Sequence, residues 1–132
     1  ANVSGHHSID TGDTLIISGV YQAAQHIDNP TIGVVIRNMY NVPVLGVNNR
    51  TYGQSLKSIS EGKAFEIVLN DLPLLPGTYD IDLFIGDGLS DKYSFENVLS
   101  FEINDRNIFE GGKNPDAKLN PFLLKTTQWR IK

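Results

Sequence analysis

The 132-residue chain has no cysteine, which excludes a disulfide framework and a thiolate metal site. A thiol-free chain of this kind suits a reducing compartment. Histidine is scarce too, with only His6, His7 and His26. Nucleophilic catalysis needs a Ser or Cys beside an imidazole that an acid orients. His6 and His7 are adjacent, so on a strand they face opposite sides, and no G-x-S-x-G elbow occurs. All three read as surface histidines, and no His/Cys spacing matches a zinc site. The eleven Lys and Arg are scattered, against fifteen Asp and Glu. Tracking a nucleic-acid backbone needs clustered cations, so nucleic acid is not an expected partner. No apolar run nears the ~20 residues of a membrane-crossing helix, and no signal peptide is visible.

What is present fits one domain over residues 1–132. At this length roughly two thirds of the unfolded-chain surface is buried, enough for an unstapled core. The chain begins at Ala1 without Met, as after Met removal or as a piece of a longer protein.

Strand signals dominate. Thr14 to Tyr21 and Thr31 to Tyr40 are rich in β-branched residues, and Val42 to Val47 is a short apolar piece. Ala64 to Leu69 alternates, with Phe65, Ile67 and Leu69 on one face and Glu66 and Val68 on the other. Tyr79, Ile81, Leu83 and Ile85 alternate with Asp80, Asp82 and Phe84. Tyr93 to Ile103 and Phe122 to Ile131 complete the set. Period-two alternation marks half-buried strands. Gln54 to Ile59 offers at most a turn of helix. Pro76-Gly77, Asp87-Gly88 and Glu61-Gly62 supply turns, through the fixed φ of Pro and the left-handed freedom of Gly. The polar stretch from Asn104 to Asn120 is long for a connection inside a compact domain. These features predict an all-β antiparallel sandwich of about seven to nine strands.

Chemistry-bearing patterns are weak. Asp80, Asp82 and Asp87 are the one carboxylate group suited to glycoside hydrolysis, but alternate Asp residues on a strand also describe a solvated face. Asp87-Gly-Leu-Ser-Asp91 lacks the ligand spacing and terminal Glu of an EF-hand loop. No cofactor is expected. Asn2-Val-Ser4 and Asn49-Arg-Thr51 are glycosylation triplets, of a kind common by chance.

Taken in order, several segments resemble one family, the C-terminal carbohydrate-binding domain of the ATPase subunit of bacterial O-antigen ABC transporters (Wzt). Thr11-Gly12-Asp13-Thr14-Leu15-Ile16-Ile17 looks like the family's TGE-x-L-x-I opening strand, followed by Tyr21. Pro30-Thr31-Ile32-Gly33-Val34-Val35-Ile36-Arg37 looks like P-x-x-G-x-x-I-[RK]. Val44-Leu45-Gly46-Val47-Asn48-Asn49 looks like V-[FY]-G-x-N-[TN], and Leu75-Pro76-Gly77-Thr78-Tyr79 like L-x-x-G-x-Y. Phe101-Glu102-Ile103, Gly111-Gly112 and Trp129 follow in order. Asn38-Met39-Tyr40-Asn41 replaces a shorter turn, and no Walker A motif is present. The resemblance implies an immunoglobulin-like or jelly-roll sandwich with no enzymatic activity. It also implies recognition of the non-reducing end of an O-antigen-type polysaccharide, coupling chain completion to export. It places the domain in the cytoplasm, at the inner face of the bacterial inner membrane. Its implied partners are the glycan, a second copy in a homodimer, and the transporter's transmembrane subunit through the missing ATPase domain. A carbohydrate-binding module of a polysaccharide-synthesising enzyme, a structural or adhesion-type protein-binding sandwich, and a glycosidase fragment are the competing readings.

Sugars bind through planar hydrogen-bonding groups and flat apolar surfaces. The candidates on solvent faces are Arg37, Met39, Asp82, Phe84, Gln128 and Arg130. The Arg37 fork suits two oxygens of an acidic sugar or phosphate, and an ion pair with an Asp of the next strand is the competing role. Trp129 shares a face with Ile131, so core or dimer packing is favoured over sugar stacking. The apolar content of the segment from Pro121 to Ile131 predicts cover on both faces, which exchange with a partner would supply.

Overall fold

The computed structural model describes residues 7–88, 90–104 and 128–131. Seven strands are described: β1 (His7–Asp10), β2 (Leu15–Val20), β3 (Pro30–Arg37), β4 (Pro43–Asn48), β5 (Ala64–Leu69), β6 (Gly77–Asp87) and β7 (Ser90–Asn104). No helix occurs among the described residues, and Gln54 to Ile59 is irregular. Asn2, His6 and most of the segment from Asn104 to Ile131 lie outside the described residues.

The strands form a five-stranded sheet in the order β1-β7-β6-β3-β4 and a two-stranded sheet β2-β5. Pairing is antiparallel except between β1 and β7. Sequence alternation decides which face turns inward. Ile32, Val34 and Ile36 of β3 are buried beside Ile81, Leu83 and Ile85 of β6, with Phe101 and Ile103 of β7. Leu15 and Ile17 of β2 are buried in the same core, with Phe65, Ile67 and Leu69 of β5 packed against it. The outer side of the small sheet carries the pairs Ile16–Val68 and Ser18–Glu66. Gly19 faces Phe65 across that pair. A Cβ on Gly19 would stand 2.5 Å from the Phe65 ring, so the ring occupies the space that only glycine leaves.

Two tyrosines pin the corners. The Tyr79 hydroxyl donates to the Leu75 carbonyl at 2.6 Å, a tyrosine corner of the kind found in immunoglobulin-like sandwiches. Its ring stacks on Phe101 at 5.5 Å, and burial pushes its pKa up to about 12. Tyr21 donates likewise to the Gln25 carbonyl at 2.6 Å and meets Tyr93 edge to face.

The strand expected to run to Tyr40 stops at Arg37. The Asn38 side chain accepts the backbone N–H groups of Tyr40 and Val42, both at 3.0 Å, and Asn41 takes φ 60°. Such side-chain bonds offer the backbone a turn in place of a ladder.

Candidate functional site

The side of the five-stranded sheet turned away from the core carries the polar residues. On β3 these are Thr31, Gly33, Val35 and Arg37; on β6 they are Asp80, Asp82, Phe84 and Gly86. The register sets Arg37 opposite Asp80, Val35 opposite Asp82, Gly33 opposite Phe84 and Thr31 opposite Gly86. On β4, Gly46 lies opposite Val35 and Asn48 opposite Gly33. Three glycines on this face thus carry no side chain between Arg37 and Thr31, a low floor in which Gly33 and Gly86 are themselves buried and Asn48 lies against Gly33. At ~3.3 Å per residue that floor is about 20 Å long.

At one end sits a polar network. Arg37 Nε donates to Asp82 Oδ2 at 2.8 Å, and the Asn97 backbone N–H donates to Asp82 Oδ1 at 2.9 Å. Asp82 is 2% exposed, and the Arg37 side chain 30%. Burial pushes the Asp82 carboxyl up, but the Asn97 N–H and the Arg37 guanidinium outweigh it and hold the pKa below its ordinary value. Beside the pair, the Ser100 hydroxyl donates to Asp80 Oδ1 at 2.6 Å. Asp82 was expected on an open solvent face. It is on the outer face, but buried beneath its partners, so it orients Arg37 rather than meeting solvent itself. The ion pair with a neighbouring strand's Asp is therefore the role the structure gives Arg37. The two terminal nitrogens of its fork carry no hydrogen bond among the described residues.

The sequence reading missed Asn97. Tyr93, Leu99, Phe101 and Ile103 turn toward the core on odd positions, Phe95 keeps the same phase but is exposed, and Asn97 interrupts the row with a polar residue. The structure resolves the conflict with a bulge. Ile81 pairs with Leu99 and Leu83 with Phe95, so three residues of β7 oppose Asp82 alone. Two extra residues preserve the inward phase on both sides, and Asn97, at φ 50°, offers its N–H to Asp82. A polar residue inside an alternating apolar row was the signal in the sequence.

The other candidates separate. Phe84 is half-buried on the same face as Arg37, two residues from Asp82. Met39 is 56% exposed in the β3–β4 turn, and its Cε lies 3.0 Å from where a Cβ on Gly77 would be. Gln128 and Arg130 are exposed, and Arg130 Nη2 donates to Gln128 Oε1 at 2.8 Å. No recorded contact joins either to Arg37. Residues 128–131 are not in a strand. Trp129 is 91% exposed, outside the core.

At the far end, the turn after β4 is tightly bonded. Asn49 accepts the Ile32 N–H at 2.7 Å and donates to the carbonyls of Pro30 and Gln54. Asn48 Oδ1 accepts from the Thr51 N–H and hydroxyl. The Asn49 amide, acceptor in a glycosylation triplet, is thus engaged in holding the turn.

The inner faces part where β4 and β5 approach. There Ile32, Val34, Leu45 and Val47 face Phe65 and Ile67 across a cleft of about 970 Å³.

A glycosidase acid needs a raised pKa, whereas that of Asp82 is lowered and its carboxylate is ion-paired. His26 is exposed and faces Asp28 at 2.8 Å. Asp87 ends β6 and pairs with Ser90, and Gly88 enters the β6–β7 turn at φ 63°. Among the described residues no group of three or more His, Asp or Glu is placed to hold a metal.

Two sheets, an inward apolar row on every long strand and a tyrosine corner place the chain in the class of immunoglobulin-like β-sandwiches. The family model of the Wzt C-terminal domain matches residues 2–113. The chain belongs to that family. The crystal structure of the C-terminal domain of Wzt is similar in fold, with a TM-score of 0.67 at 16% identity. The match covers 94% of this chain and 74% of that one. No curated protein matches the chain.

Proposed function

We propose that the domain is a non-catalytic carbohydrate-binding module of an ABC transporter subunit, and that it recognises the non-reducing terminus of an O-antigen-type polysaccharide. In this reading it acts in the cytoplasm, at the inner face of the inner membrane, where it couples completion of the glycan to export. The observation that carries the reading is the outer face of the five-stranded sheet. There Arg37 is held by Asp82, its terminal nitrogens without a hydrogen bond among the described residues, beside Phe84 and a row of glycines. A planar cation fixed by a buried carboxylate loses little entropy on binding hydroxyls, and a half-buried ring supplies the flat apolar contact. Arg37, Phe84 and Met39 touch the sugar in this reading, Asp82 positions Arg37, and Gln128 and Arg130 approach from the end of the chain.

Screening on a printed array of bacterial glycans, followed by NMR titration with the best binder, tests the proposal. Saturable shifts confined to β3, β6 and the Asn97 bulge are expected. Shifts confined to the β4–β5 cleft would move the site, and turnover of a glycan would overturn the non-catalytic reading.

A homodimer belongs to the same proposal. Its support is the almost complete exposure of Trp129 and Ile131, at 91% and 104%, since apolar side chains so exposed favour a protein contact. Sedimentation equilibrium should give twice the chain mass for the full chain. Loss of the dimer is expected in a chain ending at Asn120. An unchanged mass state in that folded, shortened form would exclude the last segment as the joint.

A further inference from the structure

Two arginines border the outer face, and their charges are spent differently. Arg37 faces two carboxylates, with Asp82 bonded at 2.8 Å and Asp80 directly opposite in the register. The ion pair with Asp82 offsets the Arg37 charge, so that end attracts an anion less than an unpaired cation would. Arg50 borders the opposite end. Its Nε donates to the Thr31 hydroxyl and its Nη2 to the Asn29 carbonyl at 3.0 Å. Both acceptors are neutral, and no carboxylate lies within ion-pair distance of Arg50 among the described residues. Thr31 is itself fixed, since its hydroxyl donates to the Gly88 carbonyl at 2.7 Å. The guanidinium is therefore anchored through two nitrogens without an ion-pair partner, and Nη1 carries no hydrogen bond among the described residues.

We infer that Arg50 is the residue of this face that reads an acidic substituent, a carboxylate or phosphate, on the bound glycan. This rests on the glycan-binding reading above and gives the site a direction. The acidic group lies at the Thr31–Arg50 end, and neutral hydroxyls lie at the Arg37 end, where Asp80 repels anions. Thr31 belongs to the outer row of β3, so Arg50 stands over the same strand that carries Arg37 about 20 Å away. A guanidinium already held in place loses little freedom on gripping a carboxylate or phosphate, and the charge-assisted bond is strong. Arg37 was the sequence-based candidate for that role, and its ion pair with Asp82 leaves Arg50 the cation with the less neutralised charge.

The test compares the wild-type chain with Arg50→Gln and Arg50→Lys on one glycan array carrying neutral, amino, uronate-bearing and phosphate-bearing bacterial glycans. Wild-type protein should bind uronate- or phosphate-bearing glycans most tightly, and which of the two binds identifies the anion. Affinity for them should fall with added salt. Arg50→Gln should lose about tenfold or more on the acidic glycans, while neutral glycans change far less. Arg50→Lys should recover part of the loss. If the best ligands are neutral, or if both variants weaken neutral and acidic glycans equally, Arg50 is only a brace for its turn and the inference is overturned. Absence of saturable binding to every glycan would remove the glycan reading itself, and this inference with it. Thermal melts of both variants exclude unfolding as the cause.

Discussion

Replacing Arg37 by Ala separates a ligand-facing arginine from one the fold needs. Asp82 is almost wholly buried and relies on two donors, the Asn97 N–H and Arg37 Nε. Removing one partner of a fully buried pair costs roughly 3–5 kcal/mol, because the remaining charge stays desolvated. Arg37 is 30% exposed, so water reaches part of the vacated space, and exposed pairs are worth only about 0–1 kcal/mol. The expected loss lies between, at about 2–3 kcal/mol near neutral pH. For a domain of this size that lowers Tm by roughly 8–12 °C. The sign with pH follows from Asp82. Its folded pKa is depressed, so its contribution is present above the unfolded carboxylate pKa and fades as pH falls through the folded value. The gap between wild type and Arg37→Ala should therefore be widest at neutral pH and narrow in acid, where Asp82 protonates in both proteins. Asp82→Asn still offers an oxygen to the Asn97 N–H, so the double variant should be more stable than Arg37→Ala alone. Urea unfolding followed by far-UV circular dichroism at several pH values reads all of this; Trp129 is too exposed to report on the core. A loss under about 0.5 kcal/mol that does not vary with pH would refute the reasoning.

Gly19→Ala should cost about 1–3 kcal/mol, since the new methyl must displace the half-buried Phe65 ring from its packing; an unchanged melting curve would show that the ring moves freely into the cleft. Tyr79→Phe should cost about 1–2 kcal/mol by leaving the Leu75 carbonyl without its donor. Spectrophotometric titration should find Tyr79 ionising near pH 12, as burial requires; burial raises Tyr21 as well, so the high-pH absorbance change should shrink by one tyrosine in the variant rather than disappear. Glycan affinity should survive EDTA undiminished; complete loss on chelation would point to a calcium-dependent mode.

Alternation decided most of the architecture in advance. A strand that reads Tyr79, Ile81, Leu83, Ile85 against Asp80, Asp82, Phe84 has only one face it can bury, so its orientation is fixed before any partner is chosen. The turn at Asp87-Gly88 was equally legible, because the left-handed angle of Gly88 belongs to the residue itself; Pro76-Gly77 makes a bend that leads straight into β6. Strand ends were less so: the β-propensity of residues 31–40 is continuous, and only the Asn38 side chain, bonding two residues beyond itself, ends β3 early. The Asn97 interruption was visible as a polar residue in an apolar row. Whether that polar group would be buried, exposed or lifted out by a bulge depended on what Asp82 needed from across the sheet.

The sequence by itself determined that this chain is a two-layered β-structure with Asp80, Asp82, Phe84 and Arg37 off its core faces. Alternation is a local property, and burial of apolar area rewards only one phase of it. Only the tertiary structure decided which charges cancel. Arg37 and Arg50 are alike in the sequence, each a cation at or near the end of a strand. Register placed two carboxylates beside the first, while the folding of a turn onto β3 gave the second, among the described residues, neutral acceptors. Coulomb energy depends on distance and burial, and neither exists until strands far apart in the chain have paired.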